Sequence, residues 1–166
     1  MFKGLIFLFL FSHDALAVTV SLWSPLCPTV AARHWDRLCG GNPTNQVRGT
    51  DIYGSGAYGA PRDNDRHLGV DVICKEGSVI YAPFSGRLIR RANPYNNGNA
   101  IDNGVMMRGP GSCVKMYNFQ PDRYTGRISK GRRLGTLLNV QAVFPEITSH
   151  VHIEMCDTSI DPTPNL

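Results

Sequence analysis

The stretch SHVHIEMC, Ser149 to Cys156, places two histidines two residues apart inside an apolar run. Side chains alternate between the two faces of a β-strand. A strand here would therefore present His150 and His152 on one face and Val151 and Ile153 on the other. The stretch predicts a strand that buries its apolar face and carries two imidazoles on the opposite face.

A second stretch, RHLGVDVIC from Arg66 to Cys74, predicts a similar face, because His67 and Asp71 are four residues apart. Zinc is bound in proteins by histidine nitrogens and carboxylate oxygens, and catalytic sites keep three protein ligands. If a sheet brings the two stretches together, they supply such a set with one histidine to spare. The alternative is that each histidine is an ordinary hydrogen-bonded core residue, and spacing alone leaves both open.

Short apolar runs separated by glycine continue after His67 and predict the fold class. Strand-length segments at roughly ten-residue intervals indicate an antiparallel sheet or sandwich. Residues 33 to about 66 are rich in Gly, Asn and Pro and predict loops, with one short helical turn near Asn45. QAVFPEI could form another turn of helix, which Pro145 would end. The prediction is a mainly β single domain. The runs are LGVDVIC, SVIYAPF, GRLIRRA, VMMRG, CVKMYNF, RLGTLL and HVHIEMC.

The formal net charge of +4 is a modest basic bias. Basic residues are too sparse for a nucleic-acid-binding protein, so no nucleic-acid partner is predicted. Some basic stretches could contact acidic glycans, although a solvated surface of mixed charge is the simpler explanation. These stretches surround Arg90, Arg91, Lys130, Arg132 and Arg133.

The N-terminus has the pattern of a secretory leader, because Lys3 precedes the apolar run LIFLFLF and small residues follow it. The run is too short to span a bilayer, so no membrane insertion is predicted. A cut after Ala17 fits the distance from the apolar run. A cut after Ala32 would instead define a leader over 1–32 and a domain over 33–166. Both cuts stay open, and each predicts an extracellular protein.

Secretion makes disulfide bonds the default state of the five cysteines, and the odd number leaves one thiol over. A cut after Ala32 would remove Cys27 and leave four cysteines, which can pair in three ways. The cysteines lack the close spacing of structural zinc sites, so metal binding by cysteine is not predicted. They are Cys27, Cys39, Cys74, Cys113 and Cys156.

The sequences HLGVD and SHVHIE resemble the HxxxD and HxH motifs of the lysostaphin-type zinc endopeptidases, which cut glycyl bonds in bacterial cell walls. EGSVIYAPFSGRLI and ISKGRRLGTLL are similar to the segments that lie between these motifs. The resemblance implies the antiparallel β core of the LytM-like peptidase fold. It also implies that His67, Asp71 and His152 bind zinc and that His150 is a remnant that would assist the metal-bound water in an active enzyme.

The lysostaphin-type peptidases carry a further histidine on a strand between the two motifs, and this chain lacks it. The equivalent stretch here is CVKMYNFQP, with Asn118 or Tyr117 in that place, depending on the alignment. Asparagine cannot shuttle a proton at neutral pH, and tyrosine is a poor base. Such a helper contributes on the order of 10²–10⁴ in rate. The resemblance therefore implies a zinc site without efficient hydrolysis, and no catalytic residue is expected. An active zinc endopeptidase of bacterial peptidoglycan is the alternative.

A longer resemblance, from about Trp35 to Pro162, is to the leukocyte cell-derived chemotaxin-2 family, to which an avian myeloid granule protein is related. It includes LCGGNPTNQVRGTDIYGSGAYGAPR, NPYNNGNAIDNGV and SHVHIEMCD. This resemblance implies a secreted zinc-binding protein that is not an enzyme. It would act as a chemotactic signal on leukocytes or liver through cell-surface receptors. Storage in granules is a second location that it suggests.

The same resemblance bears on the cysteines and the leader. It implies the pairs Cys39–Cys74 and Cys113–Cys156. Mature chains of the family begin just before a tryptophan that matches Trp35, which favours the cut near Ala32. A further short-range bridge of the family is absent, because Thr50 and Ser55 stand at its two positions.

Overall fold

The computed structural model describes residues 34–63 and 65–166. The predicted leader over 1–32, both cleavage sites and Cys27 lie outside these residues. Within them, no helix is long and apolar enough to cross a membrane.

Thirteen strands and two short 3-10 helices form the described part of the chain. The 3-10 helices span Val140–Ala142 and Thr163–Asn165. The strands are β1 (Thr50–Asp51), β2 (Gly54–Ser55), β3 (Pro61–Arg62), β4 (Asp65–Arg66), β5 (Val70–Ile73), β6 (Val79–Tyr81), β7 (Gly86–Arg91), β8 (Gly104–Gly109), β9 (Ser112–Tyr117), β10 (Phe119–Pro121), β11 (Gly126–Ile128), β12 (Arg133–Leu137) and β13 (His150–Met155).

Six strands form a central sheet in the order β11-β7-β8-β9-β13-β5, and every pair in it is antiparallel. Three strands form a second antiparallel sheet in the order β10-β12-β6. Two further sheets have two strands each, β1-β2 and β3-β4. The prediction of a mainly β, antiparallel fold is confirmed.

The alternation of side chains along β13 separates the core from the site, as the sequence predicts. Val151 and Ile153 are fully buried and join the apolar core. The two sheets share this core, because the cluster includes Ile80 of β6, Leu134 of β12 and many residues of the central sheet. The opposite face of β13 therefore carries His150 and His152.

The two predicted helical turns have different outcomes. The first two residues of QAVFPEI belong to the 3-10 helix Val140–Ala142, which begins one residue before this stretch, and the side chain of Asn139 accepts a hydrogen bond from the N–H of Ala142 at 3.1 Å. Near Asn45 the chain makes a single turn rather than a helix: the N–H of Asn45 donates to the carbonyl oxygen of Asn42 at 3.4 Å, and Asn45 ends the turn with a φ of 51°. Its side-chain oxygen accepts from the N–H of Leu38 at 2.7 Å, a bond that competes with helix formation.

Two disulfide bonds join the segments that surround the site. Cys39 bonds to Cys74, just after β5, and Cys113 of β9 bonds to Cys156, just after β13. These are the pairs that the family resemblance implies. The paired cysteines are 35 and 43 residues apart, and loops of that length stabilise the folded chain by roughly 3–4 kcal/mol each on chain-entropy grounds.

The loop between β7 and β8 is organised around one buried carboxylate, that of Asp102, which is 3 % exposed. Its two oxygens accept hydrogen bonds of 2.9–3.1 Å from four backbone N–H groups. Burial raises the pKa of Asp102, but the four hydrogen bonds together lower it by more than burial raises it. The pKa therefore lies below its ordinary value of 3.8. The donors belong to residues 95–98.

We expect Asp102→Asn to lower the thermal midpoint of unfolding near neutral pH, because an amide has one acceptor oxygen where the loop uses two. Since folding lowers this pKa, the stabilisation is complete above about pH 4 and is lost as the pH falls through the lower folded-state value. Calorimetry from about pH 7 to pH 2 should show the difference from the parent shrinking in acid. Exposed Asp63→Asn is the control, and a constant difference across this range would contradict the assignment.

Candidate metal centre

Three donor atoms from three positions in the chain converge beside the central sheet. β13 pairs with β5 so that His152 lies directly opposite Asp71, and His67 lies just before β5. His152 Nδ1 is 2.9 Å from Asp71 Oδ1, His67 Nε2 is 3.2 Å from the same oxygen, and the two nitrogens are 3.1 Å apart. The sheet therefore brings together the three ligands that the HxxxD and HxH motifs imply.

This triangle has the size that a small cation needs. Ligands about 2.0–2.2 Å from a tetrahedral ion lie about 3.3–3.6 Å from one another, so the observed distances of 2.9–3.2 Å would have to lengthen by only a few tenths of an ångström to admit the ion. Two imidazole nitrogens and a carboxylate oxygen are also a suitable chemical set. The group formed by His67, Asp71 and His152 could hold a metal ion.

Close approach of the backbone at Gly69 lets His152 reach the triangle. A Cβ atom added to Gly69 would contact the ring of His152 and would lie 2.6 Å from the carbonyl oxygen of Ile153. A real Cβ atom is essentially never found so close to a carbonyl oxygen, so a larger residue would have to separate the two strands. The glycine of HLGVD is therefore required by the packing of this centre.

The ring nitrogens of His67 and His152 that lie outside the triangle each face an oxygen atom. His67 Nδ1 is 2.9 Å from the carbonyl oxygen of Ala57, and His152 Nε2 is 3.6 Å from Glu154 Oε2. A ring that donates from one nitrogen offers the lone pair of the other to a cation. The contact to Ala57 thus favours a proton on His67 Nδ1 and leaves the lone pair of Nε2 for a cation. Glu154 lies beside His152 Nε2, the ring nitrogen that is outside the triangle.

His150 faces the same centre but lies outside the triangle. Its Nε2 atom is 3.5 Å from Asp71 Oδ1, and its Nδ1 atom is 2.8 Å from the carbonyl oxygen of Thr148. Burial lowers the pKa of His150 against the opposing effect of the Asp71 carboxylate. The ring is therefore neutral near physiological pH, with one nitrogen directed to the centre.

Charge is concentrated on Asp71 and His152. Burial raises the pKa of Asp71, but hydrogen bonds with His152 and His67 lower it well below its ordinary value. Burial lowers the pKa of His152, and the contacts with Asp71 and Glu154 more than offset this, raising it to about 9. A cation that enters the triangle would compete with a proton on His152, because a metal ligand must be deprotonated.

Arg48 is a part of this centre that sequence reasoning missed. Its Nε and Nη2 atoms donate to Asp71 Oδ2 at 3.2 and 3.0 Å, which leaves Oδ1 for the histidines. The guanidinium is 2 % exposed and also contacts Asp51 Oδ2 at 2.6 Å and the carbonyl oxygen of Gly54 at 2.8 Å. Arg48 thus fixes the Asp71 carboxylate and connects it to the β1-β2 sheet. Nothing in the spacing of RGTD could have indicated this role.

Glu154 is the second residue that the sequence analysis missed, although the alternation that identified His150 and His152 extends to it. Its Oε1 atom accepts from Lys115 Nζ at 2.6 Å and from the hydroxyl of Tyr117 at 3.0 Å. Burial raises the pKa of Glu154, but hydrogen bonds with His152 and Lys115 lower it to about 2. Glu154 is therefore a fixed anion beside His152.

The two candidates for the missing histidine position differ in environment. The ring of Tyr117 stacks on that of His152 with centroids 5.5 Å apart, and burial together with the Glu154 charge raises its pKa. Asn118 has a φ of 70° and is buried, with Nδ2 at 3.5 Å from the carbonyl oxygen of His150. Its Oδ1 atom has no hydrogen-bond partner among the described residues.

The centre lies in a groove of about 1080 Å³. Its lining includes an aromatic group in which Phe144 contacts Tyr53 and Tyr95, with ring centroids 5.5 and 6.0 Å apart. A groove of this size, with a polar centre and an aromatic wall, could hold several residues of an extended chain.

Three curated proteins are similar to this chain in sequence. Myeloid protein 1 of Gallus gallus is 57 % identical over 136 residues, which are 80 % of this chain but only 41 % of the chicken protein. Leukocyte cell-derived chemotaxin-2 of Mus musculus is 44 % identical over 89 % of this chain and 97 % of its own length. The Bos taurus protein of that name is 47 % identical over 87 % and 95 %. No family model matches.

The solved structures that match this chain include two from bacteria. Csd3 of Helicobacter pylori matches with a TM-score of 0.53 and 16 % identity, over 80 % of this chain and 33 % of its own. At that identity the likeness supports the fold alone. A Pseudomonas aeruginosa protein described as a candidate M23 peptidase gives a TM-score of 0.45 and 17 % identity, over 80 % of this chain and 54 % of its own.

Proposed function

This chain belongs to the leukocyte cell-derived chemotaxin-2 family, and we propose that it is a secreted signalling protein that attracts leukocytes or acts on liver through a cell-surface receptor. The observation that carries the proposal is the match of nearly the whole length of the mouse and bovine proteins. The two disulfide bonds support an extracellular location. Storage in granules is a second proposed location, and the name Myeloid protein 1 of the chicken relative fits an origin in myeloid cells.

The proposed cofactor is zinc, held by His67, Asp71 and His152. The size of the donor triangle and its nitrogen and oxygen atoms support this choice. When bound, zinc supplies a Lewis acid that can polarise a carbonyl group or a water molecule. In the signalling protein that we propose, the ion serves to hold β5, β13 and the preceding loop together.

The proposal that hydrolysis is impaired rests on the groups beside the triangle. A peptidase needs a residue that takes and returns a proton near the reacting carbonyl. The hydroxyl of Tyr117 donates to Glu154, and the raised pKa keeps it protonated. Asn118 has no titratable proton. His150 is left as the one neighbouring imidazole outside the proposed ligand set within the described residues.

Migration of leukocytes tests the signalling function directly. We expect the disulfide-bonded, zinc-loaded protein to increase migration across a porous filter when it is placed in the far chamber. Equal concentrations in both chambers should abolish the effect, because a chemotactic signal needs a gradient. Protein reduced with a thiol is the matched control. Absence of migration in every leukocyte class tested, at full zinc occupancy, would contradict the proposal.

The second candidate function is a zinc endopeptidase that cuts glycyl bonds of bacterial peptidoglycan. The observation that favours it is His150, which is buried beside Asp71 and directs Nε2 to the donor triangle. In this function the neutral ring would accept a proton during attack on the peptide. The groove that contains the centre would then hold the substrate.

Hydrolysis of a pentaglycine-bridged peptide separates the two functions. We expect the zinc-loaded parent to show no cleavage above that of His150→Ala. Asn118→His and Tyr117→His each restore an imidazole near the centre, and the better placed one should raise the rate by about 10² or more. Cleavage by the parent that disappears in His150→Ala would instead make the enzyme the leading function.

A further inference from the structure

The register of the central sheet places three arginines directly opposite one another. Arg127 of β11 pairs with Arg87 of β7, and Arg87 pairs with Arg108 of β8. We call these three residues the arginine row. Neighbouring strands are about 4.8 Å apart, so the row crosses about 10 Å of the sheet.

All three side chains of the arginine row are exposed, whereas the residues on either side of them in the strands are partly or fully buried. Leu88 and Met107 form the next pair after Arg87 and Arg108, and both are buried in the core. Since side chains alternate along a strand, the row lies on the outer face of the sheet.

That outer face also carries the metal centre. Arg108, Met106 and Gly104 are two positions apart along β8, so they lie on the same face of the sheet. Gly104 pairs with Tyr117 of β9. Tyr117 in turn pairs with His152. Gly104, Tyr117 and His152 therefore lie side by side across the sheet. Arg108 is four residues from Gly104 along β8, so at about 3.4 Å per residue the row is about 14 Å from these residues in the strand direction.

Basic residues also lie close to the row. Arg90 of β7 pairs with Met106 of β8, and Met106 pairs in turn with Lys115 of β9. Lys115 is neutralised by Glu154, whereas Arg90 is exposed. Arg90 therefore adds a fourth cation between the arginine row and the groove.

Within residues 34–63 and 65–166, no acidic side chain forms an ion pair with the arginine row or with Arg90. The basic residues near β12 are different, because Arg133 pairs with Asp122 at 2.9 Å and Lys130 Nζ donates to the carbonyl oxygen of His34. The arginine row and Arg90 are thus four exposed cations without an acidic partner on one face of the central sheet.

Like charges placed directly opposite each other destabilise a sheet. The arginine row holds two such pairs in succession, and an anion with several charges would relieve both at once. Guanidinium groups bind tetrahedral oxyanions through paired N–H donors. A linear chain with regularly spaced oxyanions matches a straight row of exposed arginines on a strand surface.

We infer that the arginine row and Arg90 form a binding surface for a sulfated glycosaminoglycan. Charge complementarity and the extracellular chemistry of a disulfide-bonded chain favour this polyanion over nucleic acid. The inference rests on the proposed function only in that such glycans are found outside cells. The surface is separate from the donor triangle, so it can retain the protein on a glycan while the groove remains open.

The test is retention on immobilised heparin and affinity for a heparin oligosaccharide at about 0.15 M salt, where exposed charges more than about 8 Å apart are largely screened. The row variant combines Arg87→Gln, Arg108→Gln and Arg127→Gln. We expect it to bind at least about tenfold more weakly than the parent. The control variant has the same change in net charge outside the central sheet, with Arg37→Gln, Arg132→Gln and Arg133→Gln, and should bind nearly as the parent does.

Thermal unfolding separates loss of binding from loss of structure. The row variant should be at least as stable as the parent, because it lacks the like-charge pairs, and heparin should raise the midpoint of the parent more than that of the row variant. Equal losses of affinity in both variants would show that net charge alone accounts for heparin binding, and this would overturn the inference. Equal retention of the parent on N- and O-desulfated heparin would also overturn it.

Two competitors test the class of ligand. Double-stranded DNA and vesicles with about one-third anionic lipid should compete poorly at the same charge concentration. Competition by either one as strong as that of heparin would overturn the assignment to glycans. A parent that drives leukocyte migration but does not bind heparin would overturn this inference alone, while the proposed signalling function would stand.

Discussion

His67→Ala, Asp71→Ala and His152→Ala should each abolish tight zinc binding, whereas His150→Ala should leave it nearly intact. The expectation follows from the triangle of donor atoms, in which each of the three ligands lies within 3.2 Å of the other two. Structural zinc sites are bound by about 10–16 kcal/mol through four ligands, or about 3 kcal/mol for each. Loss of one ligand should therefore weaken binding by about two orders of magnitude.

Zinc content by mass spectrometry and titration against a competing chelator would measure these affinities. Exposed His34→Ala is the matched control, because it removes an imidazole far from the triangle in sequence and outside the groove. Near-ultraviolet circular dichroism should show that each variant keeps its tertiary packing. If His150→Ala lost zinc as completely as His152→Ala, the assignment of the ligand within HVHIE would be wrong. Affinity should also fall in acid, since the ligands must be deprotonated.

Arg48→Met should be the most destabilising of the charge-removing substitutions near the site. It would remove one of the two cations that face Asp71, leave Asp51 without its partner and leave the carbonyl oxygen of Gly54 without a donor. Removing one partner of a buried ion pair costs about 3–5 kcal/mol, and we expect the lower end because protonated His152 still contacts Asp71. Arg48→Lys should recover part of this loss, since it restores the charge but not the two N–H contacts.

Urea unfolding with the disulfides intact and with chelator present would measure the change in free energy of unfolding. Exposed Arg66→Met is the matched control and should change stability by less than about 0.5 kcal/mol. A loss at Arg48 no larger than at Arg66 would mean that water compensates Asp71. Oxidised protein should be used throughout, because reduction removes the two cross-links that bracket β5 and β13.

Local pattern was sufficient to predict much of the fold. Apolar and polar residues alternate in HVHIEM, and the predicted buried positions, Val151 and Ile153, are fully buried. The same rule extends to Glu154, whose role it could have indicated. It is insufficient at Asn45, where the chain makes a single turn and the Asn45 side chain accepts a hydrogen bond from the backbone of Leu38. A side-chain contact between segments seven residues apart has no periodic signature.

Surface charge shows a different limit of sequence reasoning. Clusters in the chain pointed to Lys130, Arg132 and Arg133, yet Arg133 is paired with Asp122 and Lys130 with a backbone oxygen. The arginine row consists of residues about twenty positions apart, which no local cluster could reveal. Its members are adjacent because two antiparallel strand pairs share one register.

By itself, the sequence determined which chemical groups this protein can use: three imidazoles and a carboxylate in two short stretches, cysteines for cross-links and an antiparallel β architecture, although His67 lies just before β5 and not on the predicted strand. Only the tertiary structure decided which atoms converge. It separated His150 from the triangle, placed Arg48 behind Asp71 and aligned the arginine row. The physical reason is that alternation along a strand is a local property, whereas the distance between two side chains on different strands depends on register, which forms only when the whole sheet pairs.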